Sequence, residues 1–234
     1  MKKIIALIAI TLVAFACSSK KEGNMIVKGQ IKGLKKGTLY LQKMKDTILV
    51  SVDSVNLLGD DKFTLVDNLE SPVVYYITFD GNTDEKRLLF FGEKGEITIN
   101  DNIEEFGFNP EISGSENQKS LEEYFKITRR FNDQNLELIK LNFNAQKSNN
   151  LDSVKMVEKK FNALTRKRVL FATNFALNNS DKEVAPYIAL TELYDANIRL
   201  LDTVNNSLSD KVKNSDYGKR LQKFVSKIKK DENK

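Results

Sequence analysis

Hydrophobic and polar positions alternate along the first half of the chain, between Met25 and about Ser115. A period of two residues is typical of strands that bury one face, and turn residues interrupt it at short intervals. The predicted strands occupy residues 25–31, 38–41, 48–52, 63–66, 73–79, 87–91 and 96–99. Gly-Glu-Lys-Gly at 92–95 predicts a hairpin between the last two. Seven or so short strands predict an antiparallel β-sandwich or barrel over residues 25–115.

The strand predicted at 73–79 is apolar on both of its faces. Alternation places Tyr75 and Ile77 on one face and Val74 and Tyr76 on the other. Several aromatic residues of this region could line a binding groove: Tyr75, Tyr76, Phe79, Phe90 and Phe91. Burial between two sheets is the simpler interpretation, because aromatic side chains dominate protein cores.

After Ser115 the hydrophobic period becomes that of an α-helix. Apolar stripes run through residues 121–143, 157–175, 187–201 and 217–228, and the polar stretch 146–150 predicts a turn. Ser180 and Glu183 have the spacing of a capping box, with Pro186 in the opening turn of the next helix. We interpret the stripes as the buried seam of a small helical bundle over residues 116–234. The predicted fold class is therefore α+β, with the β region first.

The first sixteen residues have the pattern of a secretory signal peptide. Lys2 and Lys3 form a basic start, and residues 4–16 are uncharged and mostly apolar. This run is too short to cross the hydrocarbon core, which needs about 20 residues in a helix. A basic start, a short apolar run and small residues at the end direct export instead. Cleavage is predicted between Ala16 and Cys17, and the cysteine with its polar continuation resembles the lipobox of bacterial lipoproteins.

The lipobox resemblance implies lipid attachment at Cys17, with fatty acyl chains such as palmitate, and a tether over residues 17–24. Several acyl chains anchor a protein stably where one does so only marginally, so the membrane is an expected partner through Cys17. Ordinary signal peptidase would instead leave a soluble protein with a free thiol. Ser18 stands where Asp commonly retains such proteins in the inner membrane. We therefore expect a place in the cell envelope, at the outer membrane and facing the periplasm.

Composition excludes several classes of function. The chain after residue 16 carries 35 basic and 32 acidic residues, a net of +3, which is too little to indicate a nucleic-acid partner. There is no histidine, which excludes Ser-His-Asp and Cys-His catalysis and histidine metal sites. Cys17 is the only cysteine, so no disulfide and no thiol exchange is expected once it is acylated. The sequence indicates no cofactor and no metal.

Four segments of the chain resemble one known family in their order and spacing. They are Val52-Asp53-Ser54, Lys62-Phe63, the run from Phe90 to Ile99 and Ile112 to Gln118. The family is the domain of unknown function 4369, found at the front of many bacterial envelope lipoproteins. The stretches 184–190 and 217–221 resemble the helical segment that follows it in those proteins.

In fuller relatives a thioredoxin-like domain with a Cys-x-x-Cys pair comes next and performs thiol–disulfide interchange. This sequence ends at Lys234, where that domain would begin, and no cysteine replaces the pair. The resemblance therefore implies a thiol–disulfide neighbourhood without the part that acts on thiols. It carries over no functional residue.

Three kinds of candidate site remain in the sequence. The stretch 80–84, Asp-Gly-Asn-Thr-Asp, begins like a calcium loop but lacks the later glycine and glutamate, so a polar turn is preferred. The paired acids at 60–61 and 104–105 could serve glycoside hydrolysis only if they faced a partner across a cleft. The basic runs 166–168 and 227–230 could touch anionic lipid, although a solvated helix face is the simpler interpretation.

We therefore expect a non-catalytic lipoprotein of the envelope that acts as a binding or scaffolding module, with an envelope protein as a possible partner. One alternative is an accessory subunit of a thioredoxin-like thiol–disulfide system. A second alternative is a carboxylate-dependent hydrolase, which is disfavoured because acids adjacent in sequence do not face each other across a cleft and carboxylates on loops are mostly solvated. No residue is predicted to be catalytic.

Overall fold

The computed structural model describes residues 22–80 and 86–232, and eight β-strands make up the first half of that part. They are β1 (Met25–Lys32), β2 (Lys36–Lys45), β3 (Ile48–Leu58), β4 (Lys62–Asp67), β5 (Val73–Phe79), β6 (Leu88–Gly92), β7 (Gly95–Asn102) and β8 (Glu111–Ser113). The period-two pattern indicates the first seven. Strand β8 has only three residues, too few for alternation to be visible.

The strands form two four-stranded sheets. Sheet A has the order β4-β1-β7-β8 and sheet B the order β3-β2-β5-β6. Neighbouring strands are antiparallel except β1 and β7, which run parallel with Met25 opposite Gly95. The two sheets pack as an open sandwich and do not close into a barrel, which decides between the two predicted arrangements.

The hairpin predicted at residues 92–95 is wrong. Strand β6 belongs to sheet B, whereas β7 pairs with β1 and β8 in sheet A, so the segment crosses from one sheet to the other. Gly95 has a φ of 115°, which glycine adopts without steric cost. A Cβ at Gly92 would lie 2.5 Å from the ring of Tyr75. The glycines therefore serve a sheet crossover, and turn residues alone do not identify a strand's partner.

The space between the sheets is filled by side chains from alternate strand positions. Fully buried examples include Met25, Val27, Leu39, Leu41, Leu65, Tyr75, Ile77, Leu88, Phe90, Ile97 and Ile99. Gly29 lies where β1 approaches β7 most closely, since a Cβ there would be 1.7 Å from the carbonyl oxygen of Ile99. This parallel contact is possible only because the residue has no side chain.

The outer face of sheet B is also buried, because the helices cover it. Val74 and Phe91 point away from the sandwich core and pack into a second core formed with the helices. The predicted two-faced strand at 73–79 is thus confirmed. Of the five aromatic residues, Tyr75, Phe90 and Phe91 are buried and Tyr76 and Phe79 are partly buried. They do not all lie between the sheets, since Tyr76 and Phe91 face the helices. Sheet A, sheet B and the helices form three layers.

Six helices follow in the part of the chain that the structure describes. They are α1 (Glu116–Lys147), α2 (Leu151–Asn178), α3 (Val184–Glu192), α4 (Ile198–Ser207), α5 (Asp210–Lys213) and α6 (Asp216–Glu232). The first two are antiparallel partners joined by a short turn after Lys147. Ser115 and Asn150 cap their N-termini by accepting backbone hydrogen bonds from Gln118 and Ser153.

Two predicted helix features are wrong in detail. Ser180 does not cap the third helix; Glu183 occupies that position and makes no side-chain cap hydrogen bond. The stripe from Tyr187 to Leu201 is not one helix, because α3 ends at Glu192 and α4 begins only at Ile198. The side chain of Asn197 caps α4 by accepting from the N–H of Arg199. The cap at Asn197 thus starts a new helix within a stretch whose apolar spacing predicted a single one.

Candidate functional site

Polar side chains join the start of α1 to the sandwich and to α3. Glu93 Oε1 accepts hydrogen bonds from Ser115 Oγ and from the backbone N–H of Asn117, both at 2.6 Å. The buried Asn117 side chain then donates to Glu183 Oε2 at 3.0 Å and accepts from the N–H of Val184 at 2.7 Å. These bonds are inside the protein, where a lost partner is costly. The base of α1 is therefore fixed on the strands.

The far part of α1 and α2 extends beyond both cores. The sandwich core and the second core contain no described residue between Tyr124 and Val169. We call residues 130–167 the distal hairpin. From Phe125 to the end of α1 there are 23 residues, which span about 34 Å at 1.5 Å per residue. The distal hairpin is held by a narrow seam that includes Leu138, Ala145 and Val157.

The distal hairpin exposes large apolar side chains to solvent. They are Leu136 (63% exposed), Ile139 (51%), Leu141 (45%), Phe143 (65%), Leu151 (72%) and Met156 (49%). Leu136, Ile139 and Phe143 are spaced by three and four residues, so they share one face of α1 beside the seam. Single exposed apolar residues are common, but a contiguous group on one element indicates an interaction site.

A groove of about 670 Å³ runs between the two helices of the distal hairpin, and we call it the hairpin groove. Leu136, Leu138, Ala163 and Leu164 supply its apolar lining. Asp133 and Glu137 belong to the α1 wall, and Lys160 and Lys167 to the α2 wall. Among the described residues these four charges form no ion pair with one another. The groove therefore has an apolar floor, one acidic wall and one basic wall.

The net charge of the distal hairpin is positive. Residues 130–167 contain eight Lys or Arg against four Asp or Glu, a net of +4. Just beyond this segment Arg168 is neutralised by Glu192, whose Oε2 accepts from Nη2 at 2.7 Å, and this bond raises the pKa of Arg168. The unpaired charge therefore favours ligands or partners that carry acidic groups.

The base of the distal hairpin contains a buried tyrosine, Tyr124. Tyr124 packs against Phe171 and Phe175 with ring centroids 5.4 and 5.0 Å away. Burial, together with the nearby Glu192 carboxylate, holds the pKa of Tyr124 above its usual range. Tyr75 and Tyr187 have raised pKa values for the same first reason, burial. These phenols stay protonated at neutral pH, so their arrangement supports packing and not base catalysis.

The paired acids predicted as candidate sites serve local structure. Asp60 Oδ1 accepts the N–H of Lys62, and Asp61 accepts hydrogen bonds from Gln30 and from the N–H of Gly33. The Gln30 bond holds the pKa of Asp61 below its usual range. The side chains of Glu104 and Glu105 are exposed to solvent. The structure thus places the first pair in a turn between sheets and the second on an open surface.

The predicted polar turn at 80–84 is described only at its first residue. Asp80 Oδ1 accepts the N–H of Thr38 at 3.1 Å, and the Asp80 N–H donates to the Thr38 carbonyl at 2.9 Å. Residues 81–84 lie outside the described part of the chain. Asp80 therefore closes the end of the β2–β5 pair.

The two basic runs have different surroundings. In the run 166–168, Lys167 faces the hairpin groove while Arg168 is paired with Glu192. In the run 227–230, Lys229 is paired with Asp202 at 2.6 Å and Ile228 packs against the second core. Neither run acts as one continuous basic patch.

The hairpin groove, with its acidic and basic walls, was not predicted from the sequence. The signal that could have found it is the second apolar stripe of α1, which runs beside the seam through Leu136, Ile139 and Phe143. A helix with two adjacent apolar stripes has more apolar surface than one partner helix can cover. The pattern alone does not tell which charges of α2 lie across from it.

The remaining predictions concern the signal peptide and its cleavage site, metal sites and membrane-spanning helices. Ala16 and Cys17 lie outside them, so the cleavage and acylation sites have no structural description here. Within residues 22–80 and 86–232, no cluster of three or more acidic or cysteine side chains could hold a metal ion. In the same part of the chain, no helix combines the length and apolar character needed to cross a membrane.

Comparison with known proteins finds a match to one family model. The family model of the domain of unknown function DUF4369 matches residues 25–121. Neither the curated proteins nor the solved structures include a significant match. The matched segment ends inside α1, and two of the segments that resemble the family meet in the structure. Gln118 Oε1 accepts the N–H of Phe91 at 2.9 Å, beside the contact between Glu93 and Ser115.

Proposed function

We propose that this DUF4369 protein is a non-catalytic lipoprotein of the bacterial cell envelope that binds a partner protein through the hairpin groove. The predicted lipid on Cys17 would hold it at the outer membrane, facing the periplasm. The observation that carries the proposal is the distal hairpin, which exposes large apolar side chains and contains a groove lined by Leu136, Leu138 and Leu164. Such a surface is costly to leave in water, and its cost falls when a partner covers it.

The shape of the groove favours a helix as the bound element. Its floor is apolar over Leu136, Leu138 and Leu164, and an amphipathic helix can lay its apolar face there. A bilayer surface is flat and would not fill a concave groove between two helices. We therefore propose an amphipathic helix of another envelope protein as the occupant.

The charges of the groove define the chemistry of that helix. Lys160 and Lys167 on one wall would meet acidic residues of the partner, and Asp133 and Glu137 on the other would meet basic ones. Because the distal hairpin has a net charge of +4, the acidic residues of the partner should contribute more to binding than its basic residues. Oppositely charged walls allow only one orientation of the partner.

Several properties support a role without catalysis. The sequence has no histidine, and its only cysteine is the predicted acylation site. The buried tyrosines have raised pKa values, which removes them as bases near neutral pH. Turnover of an envelope substrate by the purified protein, lost on substitution of one acidic residue, would contradict this part of the proposal.

Site-specific photo-crosslinking in the cell tests the binding role. A photoreactive amino acid replaces Leu136, and the control position is Leu58 on β3, which is even more exposed at 82%. We expect Leu136 to crosslink to a protein segment that is amphipathic and acidic on one side, and Leu58 not to do so. Equal crosslinking from both positions, or crosslinking from Leu136 to lipid only, would refute a protein-binding groove.

Charge reversal makes the test sharper. Lys160→Glu should reduce the yield of the Leu136 crosslink, because it places an acid against the acidic flank of the partner. Lys223→Glu changes the charge equally on the exposed side of α6 and serves as the control. An identical yield in both variants would contradict the proposed orientation. The anchor is tested separately by labelling with radioactive palmitate, which Cys17→Ser should abolish.

A further inference from the structure

A second concave surface lies where the sandwich meets α1, away from the distal hairpin. This junction cleft has a volume of about 330 Å³. Leu89 of β6 and Ile112 of β8 lie on the strand side, and Phe125 lies on the α1 side. Phe108, which is 74% exposed, stands at the loop between β7 and β8. The size falls at the lower end of the range for small-ligand pockets.

Positive charge is concentrated in the junction cleft. Arg87, Lys126 and Arg129 line it, and Glu122 is the only acid among the lining residues. Within residues 22–80 and 86–232, none of the three cations forms an ion pair with an acid. The Glu122 carboxylate already accepts a hydrogen bond from Gln118 Nε2 at 2.8 Å. The cleft therefore has a net charge of +2 without an internal partner for its cations.

The walls of the cleft are held in place by contacts outside it. The N–H of Gly107 donates to Asp101 Oδ2 at 2.7 Å, and a Cβ at Gly107 would lie 2.5 Å from the carbonyl oxygen of Arg87. The Arg87 guanidinium lies over the ring of Tyr76, 5.4 Å from its centroid. These contacts place the loop and Arg87 before any ligand arrives, which lowers the entropy cost of binding.

We propose that the junction cleft binds a small organic anion, namely a phosphate or carboxylate headgroup joined to an apolar body. Arginine guanidinium groups bind such headgroups with two parallel hydrogen bonds, so Arg87 and Arg129 supply the anion site with Lys126 beside them. The apolar body packs between Phe108 and Phe125. Such a headgroup belongs either to a soluble metabolite or to a membrane lipid, and binding here is independent of the hairpin groove.

Calorimetric titration of the full chain with phenyl phosphate tests the proposal, with inorganic phosphate and benzyl alcohol as partial probes. We expect phenyl phosphate to bind more tightly than either, because it alone carries both parts of the proposed ligand. Arg129→Gln should weaken its binding by about tenfold or more, as expected for the loss of a hydrogen bond between charged groups. Arg130→Gln, the matched control one residue along α1, does not line the cleft and should leave the affinity unchanged.

Vesicles of phosphatidylglycerol distinguish the two sources of the headgroup. Vesicle binding that phenyl phosphate competes away would identify a lipid, and binding of phenyl phosphate without vesicle binding would identify a soluble anion. Either result supports the cleft. Equal affinity of Arg129→Gln and Arg130→Gln for phenyl phosphate would overturn the proposal, as would the absence of any phenyl phosphate binding by the unaltered protein. Thermal unfolding of both variants checks that the fold is retained.

Discussion

The hydroxyl of Tyr124 offers a direct test of how the helices are held on the strands. The side chain is fully buried, and its hydroxyl makes no hydrogen bond of acceptable geometry with any described residue. Glu192 raises the pKa of Tyr124 by its charge and by a side-chain hydrogen-bond contact, but this contact falls short of full hydrogen-bond geometry. A hydroxyl buried in this way loses its bonds to water and gains only a poorly aligned contact in return. Replacing it with hydrogen should therefore stabilise the protein.

The size of the effect follows from what Tyr124→Phe keeps and removes. The ring contacts with Phe171 and Phe175 remain, so the packing energy is unchanged. An unsatisfied buried hydroxyl costs about 1–3 kcal/mol, and we expect a gain of about 1 kcal/mol in the free energy of unfolding. For a chain of this size the midpoint of thermal unfolding should rise by about 2–4 °C.

Urea unfolding followed by circular dichroism measures the change, because the chain has no tryptophan to report by fluorescence. The matched control is Tyr75→Phe. The Tyr75 hydroxyl donates to Asp67 Oδ2 at 2.6 Å, and Lys43 contacts the same carboxylate, so this variant should lose about 1.5–3 kcal/mol. A Tyr124→Phe variant that is destabilised as much as Tyr75→Phe would refute the reasoning, since it would mean that the Tyr124 hydroxyl has a partner in solution.

Two further predictions concern the sandwich and the attachment of α6. Gly29→Ala should lower the free energy of unfolding by at least about 3 kcal/mol in the same urea assay, because the new Cβ would overlap the Ile99 carbonyl. Gly59→Ala, with open space around the Cβ, should lower it by only about 1 kcal/mol. Burial raises the pKa of Tyr217, which accepts the N–H of Val74, to about 12. The pKa of Tyr217 in the folded state lies above its unfolded value of about 10, so the free energy of unfolding falls as the pH rises from about 10 to about 12. The Tyr217→Phe variant should lose less stability over this pH range.

The strands could be predicted from the sequence because burial on one face leaves a period of two. The alternation also placed Val74 and Tyr75 on opposite faces of β5, but the cover of helices over the Val74 face was not predicted, and the two residues are buried in different cores. Strand pairing could not be predicted in the same way. The glycines at 92 and 95 mark a change of direction, but whether the chain returns to its neighbour or crosses to the other sheet depends on distant strands.

The proposed binding surfaces could not be predicted from the sequence for a similar reason. The hairpin groove combines Glu137 and Lys160 from two helices, and the junction cleft combines Arg87, the loop at 107–110 and Arg129. Each contribution by itself has the composition of an ordinary solvated surface. Only the packing of α1 on its neighbours brings them together, and that packing depends on buried side chains elsewhere.

The polar contacts at the base of α1 bear on how the distal hairpin can work. Glu93 and Asn117 fix the first turn of α1, and Ala172 and Ala176 fix the end of α2 in the second core. The distal hairpin is outside both cores, so a substitution on its surface changes the free energy of unfolding by no more than about 0.5 kcal/mol. Lys160→Glu should therefore reduce partner binding while leaving the unfolding midpoint in place, and a large loss of stability would show that the groove is part of the core. Because the proposed binding surface and the buried cores lie in separate parts of α1 and α2, the hairpin can be altered without loosening the domain that carries it.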